Sequence, residues 1–361
     1  MRRVIAFDVG DGACIRLITL SDRLLHIDCG SQDGAEMAYD RLLTSEHLLW
    51  APQAFVLSHF HADHYNGLLF ASLKGKPFPF WRNTEVDVYY PRIPEFTDRQ
   101  VFLQCLFAMN ARVFGSETGV MEYDFRRAMR TLAGPKCRFQ AVSKGDTIRL
   151  GSSFFKVLWP PSVVDSAVSI KAIRTAIADF EKARTEDEET SRILNEIKKE
   201  DFVNNLLEGQ TEDYSNQIHH EESSIHLERQ SLPAVVLKAN DSLRQAANHL
   251  CISFFEDNRL LFLGDLESYE IDRVVSELIA EGRSYFLVVS AAHHGTHWHD
   301  TLRKIRSSYC IASNGKKLFK KIEPDYKHIS DHYLSTFASG DIVVPFYPPR
   351  RIGLWEDRLW Y

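Results

Sequence analysis

The chain reads as a mixed α/β protein built from two strand-rich halves. Three observations predict this. Short apolar runs with strand character end abruptly in metal-ligating side chains at three places along the chain. Apolar stripes at helical spacing separate these strand groups. Finally, 361 residues, 44% of them hydrophobic, suffice to bury a large core.

Taken in order, Val4 to Phe7 and Ala13 to Leu17 flank Gly10-Asp11-Gly12 as a hairpin about a glycine turn. Leu24 to Gly30 is a further strand and ends in Asp28-Cys29-Gly30. Ala54-Phe55-Val56-Leu57 is apolar enough for a buried strand, and Ser58 begins a loop holding His59, His61, Asp63 and His64. Three imidazoles and a carboxylate crowded onto one turn suit two borderline-soft ions such as zinc. Two helical stretches follow within 91–140, at Gln100–Met109 and Tyr123–Leu132. A longer charged insertion spans 165–240, where Ile170, Ile173, Ile177 and Phe180 mark one apolar face. It is expected to be a helical cap over the site, since long segments between core strands usually serve a purpose. His219, His220 and His226 within it have acidic neighbours and read as solvated. Leu260 to Leu263 is a strand running into Gly264-Asp265, and Phe286 to Ser290 is another running into Ala291-Ala292-His293-His294-Gly295. A carboxylate at a strand end can bridge two cations, one on each oxygen.

The spacing H-x-H-x-D-H at His59–His64 resembles the signature of the metallo-β-lactamase superfamily. Gly264-Asp265 and His293-His294-Gly295 resemble its later ligand motifs. The resemblance implies a four-layer αββα sandwich in a single domain over 1–361, with the two stretches above as helical insertions. It places His59 and His61 on one ion, Asp63 and His64 on the second, Asp265 between them, and His293 or His294 as the last ligand. Asn248-His249-Leu250-Cys251-Ile252-Ser253-Phe254 occupies the place of a strand that often supplies one more ligand. Strand neighbours face opposite sides, so only one of Asn248 and His249 would point inward.

The amino terminus narrows the resemblance to the hydrolase domain of DNA-internalisation (competence-type) proteins, whose pattern runs D-V-G-x-G-D-A and then L-I-D-x-G. Here Asp11 and Gly12 are exchanged relative to it. Asp28 then becomes a brace behind the histidine loop. Phe155 to Pro161 matches the strand before that branch's variable segment. Tyr326-Lys327-His328 resembles its Y-G-H-P element without the glycine and proline. The implied activity is that of a hydrolase with two divalent metal ions, zinc or manganese, acting as a phosphodiesterase or nuclease on nucleic acid or nucleotides. Asp63 would orient the attacking water and His328 would assist the leaving group. The same motifs also serve hydrolysis of a small carbonyl substrate, such as a lactone or thioester, and a non-enzymatic sensor or partner-binding protein retaining the fold.

Composition sets bounds. A net charge of −6 argues against a surface coated for non-specific nucleic-acid binding. Lys316, Lys317, Lys320 and Lys321 form a local basic spot that reads as a solvated helix face. The six cysteines are scattered without a C-x-x-C pair and read as reduced core residues of a cytoplasmic protein; Cys29 alone lies close to the ligand loop. The chain opens straight into a strand with no signal segment, and no apolar run reaches membrane-spanning length. A protein partner would dock, if anywhere, on the helical insertions.

Overall fold

The computed structural model describes residues 1–44, 52–73, 81, 84–114, 124–164, 166–199, 202–208 and 232–346. The first part of the chain forms β1 (Arg3–Ala6), β2 (Gly12–Ile18), β3 (Leu24–Ser31), α1 (Ala35–Thr44), β4 (Ala54–Val56), α2 (Asn66–Leu73), β5 (Val86–Pro91), α3 (Arg99–Phe114), α4 (Phe125–Ala133) and β6 (Cys137–Val142). The hairpin β7 (Thr147–Leu150) and β8 (Ser153–Trp159) leads into α5 (Ala167–Glu186), α6 (Glu188–Lys199), α7 (Phe202–Glu208) and α8 (Ala234–Asn248). The remainder is β9 (Ser253–Glu256), β10 (Leu260–Phe262), α9 (Ser268–Ala280), β11 (Tyr285–Ser290), β12 (Arg306–Ala312), α10 (Lys316–Phe319), β13 (Ser330–Ser335), α11 (Thr336–Ser339) and β14 (Ile342–Pro345).

These strands make two seven-stranded mixed sheets, ordered β14-β1-β2-β3-β4-β5-β6 and β13-β12-β11-β10-β9-β8-β7. In each sheet one half is antiparallel and the other parallel: β3 through β6 in the first, β10 through β13 in the second. The two-residue alternation of the strands shows how the sheets stack. In β4, Ala54 and Val56 face the core between the sheets, while Phe55 faces the outer helices. In β10, Leu260 and Phe262 face the same inner core and Leu261 faces the helices of the other side. Helix, sheet, sheet and helix therefore lie in four layers, the αββα sandwich. Burying one such leucine or phenylalanine contributes about 1.5–3 kcal/mol, so the alternation strongly opposes a one-residue slip of register.

The first insertion carries the helices α3 and α4 and ends in β6; the described part of the second is helical and packs into the core. Ile173, Phe180, Ile193, Ile197, Val236 and Leu243 belong to the same continuous core as Phe55 and Leu57 of the first sheet. The charged faces of α5 and α6 mask an apolar stripe that is spent on the core. His219, His220 and His226 lie outside the described residues. Among the described residues, no helix is long and apolar enough to cross a membrane.

Candidate metal centre

The candidate ligands sit where parallel strands end. β4 runs into Leu57-Ser58 and the histidine loop, whose residues Ala62–His64 form one 3-10 turn. β10 runs into Asp265, and β11 into the turn Ala292–Gly295. The halves are stitched together at this edge, where the Ile252 N–H donates to the Ser58 carbonyl at 2.8 Å. Glycine is required where these loops press on one another. A side chain at Gly30 would place Cβ 2.3 Å from the Asp63 carbonyl oxygen. Gly264, at φ +56°, would place one 2.5 Å from Cys251 Sγ.

Asp28 organises the histidine loop. It is fully buried at the end of β3; Oδ1 accepts from the Ser58 N–H at 2.7 Å and Oδ2 lies 2.8 Å from His64 Nδ1. That bond assigns the proton to Nδ1 and turns Nε2 of His64 toward Asp265 Oδ2, 3.3 Å away. His294 is set in the same manner. Its Nδ1 donates to the Ser313 carbonyl at 2.7 Å, and its Nε2 lies 3.4 Å from the same Asp265 oxygen. His59 lies tilted against His64 with ring centroids 4.0 Å apart, and its Nδ1 meets Ser58 Oγ at 3.1 Å.

The donor atoms of His59, His64 and Asp265 all lie within 4.8 Å of one another, as do those of Asp63, His64 and His294. His61 touches Asp63 and lies outside both groups. The nitrogens His61 Nε2, His64 Nε2 and His294 Nε2, and both carboxylate oxygens of Asp63, are buried without a hydrogen-bond partner. Leaving one such group unsatisfied costs about 1–3 kcal/mol. An imidazole and carboxylate set drawn together at that cost fits divalent cations with nitrogen and oxygen preference, zinc and manganese among them.

Electrostatics point the same way. Burial pushes His59, His61 and His293 well below the usual imidazole range, so they stand as neutral imidazoles. Burial opposes the Asp265 charge, but His294, His64 and His293 around it hold its carboxyl well below the usual carboxylate range. For His64, burial is outweighed by Asp265 and Asp28, which raise it to about 10.

Of the two adjacent histidines, His294 points into the cluster. His293 Nε2 is 3.7 Å from Asp265, but its Nδ1 meets the His297 ring at 2.6–3.1 Å. Glu267, His293 and His297 form a further, half-buried group beside the first two. Asn248 and His249 do not lie on a strand. Asn248 is the last residue of α8 and His249 caps it, because the helical period persists to Ala247 and pairing begins only at Ser253. Asn248 donates to Glu267 at 3.0 Å, and His249 Nδ1 bonds Glu270 at 2.7 Å. Neither belongs to the two ligand groups around His64.

His328 also stays away. It ends the turn Pro324–His328 as an exposed side chain, while Tyr326 of the same turn reaches the site loop. The Tyr326 hydroxyl accepts from the Ala292 N–H at 2.9 Å and donates to the His297 carbonyl at 2.6 Å. Cys29 joins Cys14 and His26 in a separate buried group rather than the histidine loop. Asp11 caps α10, accepting from the N–H groups of Gly315 at 2.8 Å and Leu318 at 3.1 Å. Sequence reasoning missed Glu267, His297 and Arg244. The first two stand within a few residues of recognised ligands, and a search of those flanks for further donors would have found them.

No family model matches the sequence, and no curated protein does. Among solved structures, the chain is similar to the metallo-beta-lactamase fold protein YhfI from Bacillus subtilis, at 9% identity over 95% of this chain and 99% of that one, with a TM-score of 0.41. A mutant of the CmlA β-hydroxylase is 10% identical over 95% of this chain and 54% of its own, with a TM-score of 0.43. BJP-1, a subclass B3 metallo-beta-lactamase of Bradyrhizobium japonicum, is 17% identical over 43% and 52%, with a TM-score of 0.25. At such identities and scores likeness assigns no activity, and the chemistry has to come from this chain's own side chains.

Proposed function

We propose that this chain is a metal-dependent hydrolase that cleaves phosphodiester bonds in nucleic acid or nucleotides, using two divalent ions, zinc or manganese. The observation that carries it is the convergence of His59, Asp63, His64, Asp265 and His294 from both halves of the sandwich, with buried donor atoms left unpaired. Bound ions of this kind acidify water and neutralise charge developing on the attacked group. The protein's part is to hold the set rigid. Asp28 fixes the His64 tautomer, the Ser313 carbonyl fixes that of His294, and Asp265 Oδ2 lies 3.3 Å from His64 Nε2 and 3.4 Å from His294 Nε2. His293, with Nδ1 against the His297 ring and Nε2 3.7 Å from Asp265, sits at the edge of the centre, where Nε2 could donate to a substrate oxygen. It takes the place that the motif suggested for His328. The phosphodiester class rests on the resemblance of the amino terminus, Phe155–Pro161 and Tyr326-Lys327-His328 to the competence-type branch. The six buried free cysteines suit a reducing compartment such as the cytoplasm.

The test is to load the protein with zinc or manganese and offer single-stranded DNA, duplex DNA, RNA, bis(p-nitrophenyl) phosphate, a lactone and a thioester. Asp63→Asn should lower phosphodiester cleavage by about 10²–10³ while keeping the fold. Cleavage of only the lactone or thioester, with Asp63 dependence, would overturn the phosphodiester assignment. Equal activity in Asp63→Asn would place the chemistry elsewhere.

A further inference from the structure

We infer that Arg244 is an oxyanion subsite at the edge of the metal centre, through which α8, the helix that leads out of the second insertion, holds a phosphoryl group of the substrate. This rests on the hydrolase function proposed above and supplies a residue for its substrate class. α8 buries Val236, Ala239, Leu243 and Ala246 in the core, which directs Arg244 from the adjoining face toward the histidine loop. Its Nη2 lies 3.7 Å from Asp63 Oδ2. Asp241, three residues back on the same helix, is its first counter-charge; its charge also bears on Asp265, His61 and His293, so it overlooks the centre from the side of α8.

Three features separate this arginine from an ordinary ion pair. The 3.7 Å approach is longer than a hydrogen bond, so the guanidinium does not lock onto Asp63. Nε is buried without a hydrogen-bond partner, while 26% of the side chain is open to solvent. The residue therefore combines a buried, unpaired Nε with a partly solvent-exposed side chain beside the centre. Finally, a cation beside a site that gathers divalent cations is repelled by them, and Asp63 cannot serve as its counter-charge while ligating an ion. An anionic substrate removes that conflict. The planar fork of arginine matches two oxygens of a phosphoryl group, and the group stays charged at any pH the protein survives. A neutral lactone or thioester has no use for it.

The experiment compares metal-loaded wild type with Arg244→Ala and Arg244→Lys in the full-length chain. Inorganic phosphate binding is measured by calorimetry, phosphodiester kinetics with bis(p-nitrophenyl) phosphate, and metal content by elemental analysis. Arg244→Ala should weaken phosphate binding and raise KM by about 10–100-fold, as expected for loss of a charged hydrogen-bonding group. Metal content should be unchanged, and Arg244→Lys should fall between. Phosphate affinity within twofold of wild type in Arg244→Ala would refute the subsite. Lost metal with intact phosphate affinity per bound ion would also refute it, making Arg244 a support for Asp63. If wild type cleaves no phosphodiester, the phosphodiesterase assignment fails, and calorimetry still decides the subsite on its own.

Discussion

Asp28 offers the sharpest test of how the centre is held together. Asp28→Asn preserves volume and tolerates the left-handed backbone at this position, φ +52°. The amide has one acceptor where the carboxylate had two. If its oxygen keeps the Ser58 N–H, now bonded at 2.7 Å, its NH₂ faces His64 Nδ1 at the present 2.8 Å. His64 must then shift its proton to Nε2, the nitrogen aimed at Asp265 and needed for metal. Loss of a partner behind a ligating histidine typically costs 10–100-fold in metal affinity, about 1.4–2.7 kcal/mol. Asp28→Ala should be worse, because the buried Ser58 N–H is also left unpaired at a further cost of about 1–3 kcal/mol. Competition against a chromophoric chelator measures the first effect, and urea melts of the metal-free protein measure the second. Zinc affinity of Asp28→Asn within twofold of wild type would show that Asp28 does not set the His64 tautomer.

Other expectations follow from the surroundings of the centre. His249→Ala should retain the metal content of wild type yet lose about 1–3 kcal/mol of stability, because the fully buried Glu270 carboxylate is left with Ser169 as the one remaining partner of its Oε1; loss of metal would mean that His249 ligates after all. Arg112, bonded to Asp187 at 2.8 Å, together with Thr190, holds that carboxyl down to about 2 against the ordinary 3.8. A depressed carboxylate stabilises the fold fully above its unfolded value, and the contribution disappears as pH falls from about 3.8 to 2. The difference is at most about 2.4 kcal/mol, or about 1 kcal/mol after solvent screening. Urea melts between pH 5 and 2 should show this slope in wild type and lose it in Asp187→Asn. Burial raises the Cys105 thiol to about 12 and the Cys137 thiol to about 11. Their thiolate fractions at pH 8 are therefore about 10⁻⁴ and 10⁻³, and a thiol reagent should titrate them only on unfolding; reaction within minutes in native buffer would contradict their burial.

The parts of this site legible in sequence are those where a strand stops and donors begin. Ala54-Phe55-Val56 is apolar on both faces because a parallel strand inside the sandwich is covered on both sides, and the side chains beyond Leu57 have no such constraint. The same logic exposed Asp265. It failed at Asn248 and His249, where the apolar run Leu250-Cys251-Ile252 looked like the start of β9 but is the bend joining α8 to it. It failed for the insertion as well. An apolar stripe on a charged helix says that one face is covered, not by what, and the cover here is the main core rather than a ligand site. Arg244 carries no sequence signal at all, since its meaning lies in the distance to Asp63 across a fold boundary.

The choice between His293 and His294 shows most clearly what only coordinates supply. Alternation cannot rank them, because neither is in a strand or a regular helix. Both have left-handed backbones, φ +45° and φ +60°, and non-glycine residues adopt that conformation at a cost. The turn is held in this shape from outside. Tyr326 clamps the Ala292 N–H and the His297 carbonyl, and Asn314 Nδ2 donates to the His294 carbonyl at 3.0 Å. With the backbone so fixed, the rings diverge. His294 is turned inward by the Ser313 carbonyl, and His293 outward to His297 and the half-buried Glu267. The ring that faces the cluster is thus selected by Ser313 and Asn314, about twenty positions downstream on the loop after β12, through contacts that no local motif records.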